Sequence, residues 1–333
     1  MERKPALPMT VSLHNKWLLN RPTSVAAAIE ARIADPDSRF LAGGTDLLIH
    51  LRYGEAKLCK LIDLTTIESL KTMVFGEDSA IIGSGVSIAR IAQDRILAEN
   101  YPALAQAAAS VAAPAHRNVA TLGGNLCLDT RCIHFDQSET WRMSNADCLK
   151  NSGEICHAAP NETRCHAAYS GDLAPALIAI DAQVETESAR GARRIALSDL
   201  YAEDGRAHLK LEPDEIVTTI YLPARIGPSA YSKLRARGTL DYPLAGVAVV
   251  MRMEGGALAA LRIALTGLSP RPFLLDGAQG LLGRPVDEET LGAVEKLIMQ
   301  QAPPMRTTLV AANYRRLAAV AAARRLMTQL APG

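Results

Sequence analysis

Apolar residues recur at helical spacing in some stretches of the chain and alternate with polar residues in others. Ser24 precedes a run with apolar residues at positions 25, 28, 29 and 33, which predicts a capped helix. The same reasoning predicts short strands and helices in turn as far as residue 111. Strands are expected at residues 11–13, 39–41, 58–64, 72–75 and 80–82, and helices at 25–33, 47–51, 87–97 and 102–111.

Regular patterns resume after a polar stretch that ends near Cys165. Strands are expected at residues 183–187, 192–197, 230–237, 246–253 and 257–265, and helices at 285–301 and 308–330. Pro223 and Pro228, with Gly227 between them, indicate a boundary. We therefore expect an α+β protein of two domains, residues 1–222 and 229–333, with subdomains of the first at about 1–57 and 58–222.

Composition limits what the protein binds and where it works. The chain has 333 residues, of which 48% are hydrophobic, and a formal net charge of +1. Such a balance argues against nucleic acid or an anionic membrane as the main partner. The first residues lack the apolar run of a signal peptide, and no segment reaches the roughly 18 uninterrupted apolar residues of a membrane span. These features predict a globular protein of the cytoplasm.

Two glycine pairs stand in turns between regular elements. They occur in the sequences Ala42-Gly43-Gly44-Thr45-Asp46 and Thr121-Leu122-Gly123-Gly124-Asn125. Glycine lets a ligand approach the backbone, and amides at the start of a helix carry partial positive charge, so both turns suit a phosphorylated ligand. Neither matches a Gly-x-Gly-x-x-Gly fingerprint or a P-loop, which leaves ordinary dinucleotide and nucleoside triphosphate sites unsupported. Tight turns without a ligand are the plainer alternative.

The polar stretch between Ala120 and Cys165 carries most of the cysteines. Long irregular stretches are uncommon in compact domains and usually functional. Cys59 and Cys127 have apolar neighbours, as core cysteines do. The other cysteines are Cys132, Cys148, Cys156 and Cys165. In a reducing compartment they favour a metal over disulfides, and their spacing leaves zinc, an iron–sulfur cluster and no metal open. Three histidines are either substitute ligands or solvated: His134, His157 and His166.

Four motifs in this order resemble one protein family. The motifs are the two glycine pairs with their neighbours, Gly171-Asp172-Leu173-Ala174-Pro175, and Tyr231-Ser232-Lys233 with Asp241. Over nearly the whole chain they resemble the flavin-binding subunits of the xanthine dehydrogenase family of molybdenum hydroxylases. Residues 127–168, here called the cysteine segment, are missing from most of that family. This insertion resembles the one in the β subunits of 4-hydroxybenzoyl-CoA reductases.

The resemblance implies an FAD-binding domain of the PCMH type, made of two α+β subdomains, followed by an α+β domain like the C-terminal domain of CO dehydrogenase flavoproteins. It assigns to FAD the residues Ala42, Gly43, Gly44, Thr45, Asp46, Thr121, Gly123, Gly124, Asn125, Asp172 and Lys233. Amides of both glycine motifs would bind the pyrophosphate. Asp172 would bind a ribose or ribityl hydroxyl, and Lys233 would lie near the polar edge of the flavin. The plainer alternatives are a helix cap for Asp172, a solvated strand position for Lys233 and a turn former for Asp241.

The resemblance further implies that Cys132, Cys148, Cys156 and Cys165 ligate one 4Fe-4S cluster. A large molybdopterin subunit and a small subunit with two 2Fe-2S clusters would be partners, in a dimer of heterotrimers. A ferredoxin would donate electrons for the reduction of 4-hydroxybenzoyl-CoA to benzoyl-CoA, because 4Fe-4S clusters reach roughly −700 mV. Basic residues of the segment would offset cluster charge, dock the ferredoxin or simply be solvated: Arg131, Arg142, Lys150 and Arg164.

Two other functions stay open on the sequence. One is an FAD subunit of a hydroxylase that oxidises aldehydes, purines or CO. The other is a zinc-stapled nucleotide-binding module without a redox role. A flavin and an iron–sulfur cluster absorb visible light whereas zinc does not, so the colour of the purified protein distinguishes the last function from the others.

Overall fold

The computed structural model of the protein describes residues 17–53, 60–77, 79–224, 227–238, 240–307 and 309–331. The expected strand at residues 11–13 and Cys59 lie outside this part of the chain. Within it, the strands form three sheets with helices packed on them. Short 3₁₀ helices lie at Leu64–Thr66, Glu68–Lys71, Leu197–Leu200 and Ala278–Leu281. None of the described helices has the length and apolar character that crossing a membrane requires.

The first unit is a small parallel sheet. Its elements are β1 Leu18–Asn20, α1 Val25–Ala34, β2 Arg39–Leu41, α2 Leu47–Tyr53 and β3 Lys60–Asp63. The strands run parallel in the order β1-β3-β2, as helical crossovers between strands allow. Ser24 caps α1 by accepting a hydrogen bond from the Ala27 amide. Because β3 is the central strand, this unit continues past the expected subdomain boundary near residue 57.

The second unit contains most of the helices and a five-stranded antiparallel sheet. Its elements are β4 Met73–Phe75, β5 Ala80–Gly83, α3 Ile88–Gln93, α4 Arg95–Asn100, α5 Pro102–Ser110, α6 Pro114–Val119, α7 Leu122–Leu126, α8 Glu139–Ser144, α9 Leu173–Ala179, β6 Gln183–Ser188, β7 Gly191–Ala196 and β8 Ile216–Leu222. The strand order is β4-β5-β8-β6-β7. The expected helix at 87–97 is two helices, because Asp94 ends α3 and caps α4 through the Leu97 amide.

The third unit is a four-stranded antiparallel sheet with two long helices. Its elements are β9 Ser229–Leu234, β10 Ala245–Glu254, β11 Ala257–Thr266, β12 Phe273–Leu274, α10 Glu288–Gln301 and α11 Tyr314–Leu330. Ala248 and Val250 of β10 join the core of the second unit, whereas Val247 and Val249 join the core that includes α10 and α11. Burial on both faces explains the nearly continuous apolar run of this strand. The molecule has the predicted α+β fold.

The cysteine segment lies between α7 and α9 and packs against the third unit. The backbones of Arg131 and Ala168 exchange hydrogen bonds of 2.7 and 2.9 Å, which close the base of the segment. Cys156 packs in a small apolar cluster with Met305 from the C-terminal domain, and the Arg306 amide donates to the Ala158 carbonyl at 3.0 Å. The segment is therefore held by both domains. Its expected lack of regular structure holds apart from α8.

Candidate functional site

A cleft of about 2160 Å³ is lined by residues of all three units and of the cysteine segment. Every residue that the sequence assigns to FAD lines it: Ala42, Gly43, Gly44, Thr45, Asp46, Thr121, Gly123, Gly124, Asn125, Asp172 and Lys233. Among the four expected metal ligands, Cys132 lines the cleft and the other three do not. All the residues expected to bind FAD therefore line the cleft, together with one of the expected metal ligands, Cys132.

The first glycine motif forms a loop that packs directly on the backbone before the second. A Cβ atom at Gly43 would lie 2.1 Å from the carbonyl oxygen of Val119, so only glycine permits this approach. Gly44 has a φ of +70°, a left-handed conformation that also favours glycine. A Cβ atom at Gly124 would lie 3.6 Å from the Cβ of Ala42. The two motifs therefore face each other across a short distance.

The amides of the first motif are free to bind a ligand. Among the described residues, the backbone N–H groups of Gly43, Gly44, Thr45 and Asp46 donate no hydrogen bond within the protein. All four residues line the cleft and are only partly buried. Consecutive unpaired amides form an anion-binding concavity. This loop therefore fits the diphosphate of a dinucleotide.

The second glycine motif does not present free amides to the cleft, although the sequence predicts that both motifs do so. Gly123 and Gly124 lie in the helix α7 rather than in a turn, and Thr121 caps this helix through the Gly124 amide at 3.1 Å. The neighbouring amides are also paired within the protein: Leu122 with the Val86 carbonyl, Gly123 with that of Ser84, and Asn125 with that of Thr121. The second motif thus forms the opposing wall, while the first presents the free donors.

Asn125 connects this wall to the start of α9. Its side-chain Oδ1 accepts a hydrogen bond from the Leu173 amide at 3.2 Å. Asp172 occupies the cap position of α9, but its side chain makes no capping hydrogen bond. The helix-cap interpretation of Asp172 is therefore wrong, and Asn125 instead accepts from the first amide of α9.

Asp172 instead forms a buried ion pair with Lys233. Lys233 Nζ lies 2.8 Å from Asp172 Oδ2, and each side chain is 4% exposed. Lys233 also donates to the Ser110 carbonyl at 3.1 Å, and the Tyr231 hydroxyl donates to Asp172 Oδ1 at 2.7 Å. Burial raises the pKa of Asp172, and the charge of Lys233 opposes that rise. Lys233 is thus not a solvated strand residue, and the pair joins α9 to β9 at the cleft wall.

A second polar cluster surrounds Arg131. Its guanidinium group contacts the carboxylate of Asp46 and the imidazole of His50. It also donates to the Tyr242 hydroxyl at 3.0 Å and lies 4.8 Å from the centre of that ring. The Tyr242 hydroxyl donates to Asp46 at 3.3 Å. This cluster joins the first glycine loop, α2, the cysteine segment and the C-terminal domain.

Three of the four expected metal ligands are buried in the cysteine segment: Cys148, Cys156 and Cys165. Burial raises the pKa of Cys132, hydrogen bonds from the backbones of His134 and Phe135 oppose that rise, and the charges of Cys148 and Cys156 add to it. A hydrogen bond between the thiols of Cys156 and Cys165 lowers the pKa of Cys156 and raises that of Cys165. By contrast, Cys127 packs against the main core, where burial raises its pKa to about 12.

Backbone amides point at two of these sulfur atoms. The His166 amide donates to Cys156 Sγ and the Ala167 amide to Cys165 Sγ, each at 3.4 Å. Hydrogen bonds of this kind favour thiolates and tune the potentials of iron–sulfur clusters. In the cysteine segment they give the thiols a setting that suits ligation of a cluster.

The described residues contain no group of three or more His, Cys, Asp or Glu side chains arranged to hold a metal ion. A structural zinc needs four ligands within about 2.3 Å of one centre. The zinc interpretation therefore gains no support from this arrangement. The same finding gives no geometric support to a 4Fe-4S cluster, which also needs four thiolates gathered around one site.

The basic residues of the segment have hydrogen-bond partners, whereas His166 lacks one at its Nε2 atom among the described residues. His166 is 3% exposed, so it is not solvated, and its Nε2 lies 3.8 Å from Glu162 Oε2. The basic side chains pair with oxygen atoms of the chain: Arg142 with Gln137, Lys150 with Asp129 and Arg164 with Glu203. These basic residues are therefore not the unpaired surface charges that would mark a ferredoxin site.

Sequence reasoning missed His50, Tyr242 and Arg315. Arg315 at the start of α11 donates to the Gly267 carbonyl at 2.8 Å, and burial lowers its pKa while the charge of nearby Cys132 opposes that shift. His50 and Arg315 lie in predicted helices and Tyr242 follows Asp241, but no motif assigns a function to any of the three. Only the fold brings them to the cleft or the cysteine segment, so no local signal could have identified them.

Two family models match the chain over adjoining ranges. A model described as the FAD binding domain in molybdopterin dehydrogenase matches residues 14–225. A model described as the CO dehydrogenase flavoprotein C-terminal domain matches residues 229–330. Together they cover both domains of the fold.

The chain is also similar to individual proteins and to a solved structure. The xanthine dehydrogenase FAD-binding subunit of Escherichia coli O157:H7 is 27% identical over 302 residues, which are 89% of each chain. The aldehyde oxidoreductase FAD-binding subunit of Escherichia coli K12 is 30% identical over 272 residues, 79% of this chain and 84% of the relative. A structure of carbon monoxide dehydrogenase from Hydrogenophaga pseudoflava, lacking the Mo-pyranopterin moiety of its cofactor, aligns with a TM-score of 0.77 at 25% identity. It covers 95% of this chain and 97% of that one.

Proposed function

Because the chain belongs to the family of FAD-binding domains of molybdopterin dehydrogenases, we propose that it is the FAD-binding, electron-transferring subunit of a molybdenum enzyme. Residues 1–222 form the PCMH-type domain and residues 229–333 the C-terminal domain in this proposal. Similar proteins are named as FAD-binding subunits of a xanthine dehydrogenase and an aldehyde oxidoreductase, which supports a role within a larger enzyme. The flavin would supply one- and two-electron transfer.

The observation that carries this proposal is the loop of free amides at residues 43–46 in the shared cleft. These amides would bind the diphosphate of FAD, and the α7 wall would enclose it from the other side. Asp172 and Lys233 would face the rest of the cofactor from the domain boundary. The test is the visible spectrum and flavin content of the purified chain. We expect about one FAD per chain, released by denaturation, and a colourless chain that binds no added FAD would contradict the proposal.

Partners follow from the same role. The molybdenum cofactor would lie on a large molybdopterin subunit, and a small subunit would carry two 2Fe-2S clusters. The described residues offer no second set of cysteines beyond the segment for such clusters. A dimer of heterotrimers in the cytoplasm is the assembly we propose.

A finer proposal concerns the cysteine segment. Cys132, Cys148, Cys156 and Cys165 would ligate a 4Fe-4S cluster, which the buried thiols and their amide donors support. A cluster beside the flavin cleft would suit delivery of low-potential electrons from a ferredoxin. The complex would then be a 4-hydroxybenzoyl-CoA reductase that forms benzoyl-CoA in anaerobic aromatic degradation. Iron analysis of the anoxically purified chain tests the cluster, and about four iron atoms per chain are expected.

The comparisons also favour a second candidate, an FAD subunit of an enzyme that oxidises its substrate. Both relatives named above carry names of oxidising enzymes, a xanthine dehydrogenase and an aldehyde oxidoreductase. The flavin cleft would be the same in either case, and electrons would flow outward from the molybdenum partner. The cysteine segment is the feature that distinguishes the two candidates.

A further inference from the structure

The carboxylate of Asp46 creates an electrostatic problem for the proposed diphosphate site. Asp46 belongs to the loop whose free amides point into the cleft, and its side chain is 22% exposed. A carboxylate this close to a bound diphosphate would repel it, and the repulsion is strong in a partly buried site. The loop therefore needs a positive charge beside Asp46 if it is to hold an anion.

Arg131 supplies that charge from the cysteine segment. Its guanidinium group contacts the Asp46 carboxylate, and its side chain is 15% exposed. The Nε atom of Arg131 is buried and has no hydrogen-bond partner among the described residues. The group thus neutralises Asp46 and keeps one donor unused. Tyr242 stacks on it and His50 contacts it, and neither brings an opposing negative charge.

The backbone fixes the position of Arg131. Its N–H and carbonyl groups pair with Ala168, where the two ends of the cysteine segment meet. Cys132 follows directly in the sequence and also lines the cleft. A change in the order of the segment would therefore move the charge that faces Asp46.

We propose that Arg131 is a flavin-positioning residue of the FAD site, which compensates Asp46 so that the first glycine loop can bind a diphosphate. The inference rests on the proposed function and deepens it, because it makes the inserted segment part of the flavin site. Arg131 acts through Asp46 and on the diphosphate end of the ligand. Ligands without a diphosphate do not depend on it.

The experiment is a double-mutant cycle that removes each charge in turn, carried out on the whole chain after removal of its flavin. FAD and riboflavin, which lacks the diphosphate, are titrated by flavin fluorescence into wild type, Arg131→Met, Asp46→Asn and the double variant. We expect Arg131→Met to weaken FAD about tenfold or more, which corresponds to one uncompensated charge in a partly buried site. Asp46→Asn in the same chain should restore the affinity to within about threefold of wild type, and riboflavin affinity should be the same in all four proteins.

Arg164→Met is the matched control. Arg164 also directly precedes a cysteine of the segment and pairs with a carboxylate, Glu203, but it does not line the cleft. Its FAD affinity should stay within about twofold of wild type. A double variant as weak as Arg131→Met would overturn the inference, as would an equal loss of riboflavin, an equal loss in the control, or an Arg131→Met protein that binds FAD normally. A wild-type chain that binds no FAD would instead refute the proposed function.

Discussion

Asp172 and Lys233 form a buried ion pair at the boundary between the two domains. Neither side chain is more than 4% exposed, Tyr231 donates a further hydrogen bond to Asp172, and Lys233 donates one to Ser110. Removing one partner of such a pair costs far more than removing both, because the survivor is a buried, uncompensated charge. Substitutions at this pair therefore test how strongly the free energy of unfolding depends on the ion pair at the domain boundary.

We expect Lys233→Met to lower the free energy of unfolding by about 3–5 kcal/mol, since it leaves the Asp172 carboxylate buried without its cation. The double variant Asp172→Asn, Lys233→Met should recover most of that loss. Urea unfolding measures both. Arg284→Met is the control, because its pair with Glu289 is exposed and contributes about 1 kcal/mol or less. A loss below about 1 kcal/mol for Lys233→Met would show that Asp172 is not left as a buried, uncompensated charge.

At the scale of elements, the two glycine motifs meet because glycine allows their backbones to touch. We expect Gly124→Val to give folded protein without flavin. The new side chain would project from α7 toward Ala42 and the Thr121 hydroxyl, 3.0 Å from its Cβ, and so narrow the space between the motifs. Gly44→Val should have the same effect, with added strain from its left-handed backbone.

The ratio of flavin to protein absorbance measures this effect, and circular dichroism checks the fold. Gly292→Val is the matched control, because a Cβ at this helical glycine in α10 would meet no atom within 4 Å. The control should retain its FAD. If Gly44→Val and Gly124→Val also retained it in full, the pyrophosphate could not lie between these motifs.

The cysteine segment is the second element with a direct test. Single Cys→Ser changes at positions 132, 148, 156 and 165 should each lose iron, whereas Cys127→Ser should keep it, because Cys127 packs in the main core. Ligation orders the segment, so iron removal should expose it to proteolysis while both domains stay intact. Iron content and limited proteolysis under anoxic conditions are the measurements. Loss of iron from Cys127→Ser alone would contradict the ligand assignment.

Local sequence signals predicted the elements better than the contacts between them. The capped helix after Ser24, the hairpin of β4 and β5, and the strands β9 to β11 follow from periodicity and turn residues. The sequence predicts a turn where α7 lies, because two glycines lower the helix propensity of the residues that Thr121 caps. The pairing of Asp46 with Arg131 was beyond prediction, because neither residue lies in a pattern that specifies a distant partner.

At the scale of the whole molecule, one chain places a flavin cleft beside a cysteine segment, with Cys132 on the wall between them. If the proposed cluster and FAD are both bound, this arrangement would suit a relay in which electrons enter at one site and leave at the other. Two relatives are named as subunits of a xanthine dehydrogenase and of an aldehyde oxidoreductase, whereas a low-potential cluster would suit reduction. The direction of electron flow in the assembled complex therefore decides between the two proposed functions.

We expect the complex with its molybdenum and 2Fe-2S partners to convert 4-hydroxybenzoyl-CoA to benzoyl-CoA under anoxic conditions with reduced ferredoxin. The Cys148→Ser complex should lose ferredoxin-driven turnover, since Cys148 is a buried ligand of the proposed cluster and serine replaces a thiolate that iron requires. Product formation is measured for both complexes, and their flavin content serves as the control for assembly. Equal rates would place the cysteine segment outside the electron path. Hydroxylation of a purine or an aldehyde by the wild-type complex, without benzoyl-CoA formation, would establish the oxidising function instead.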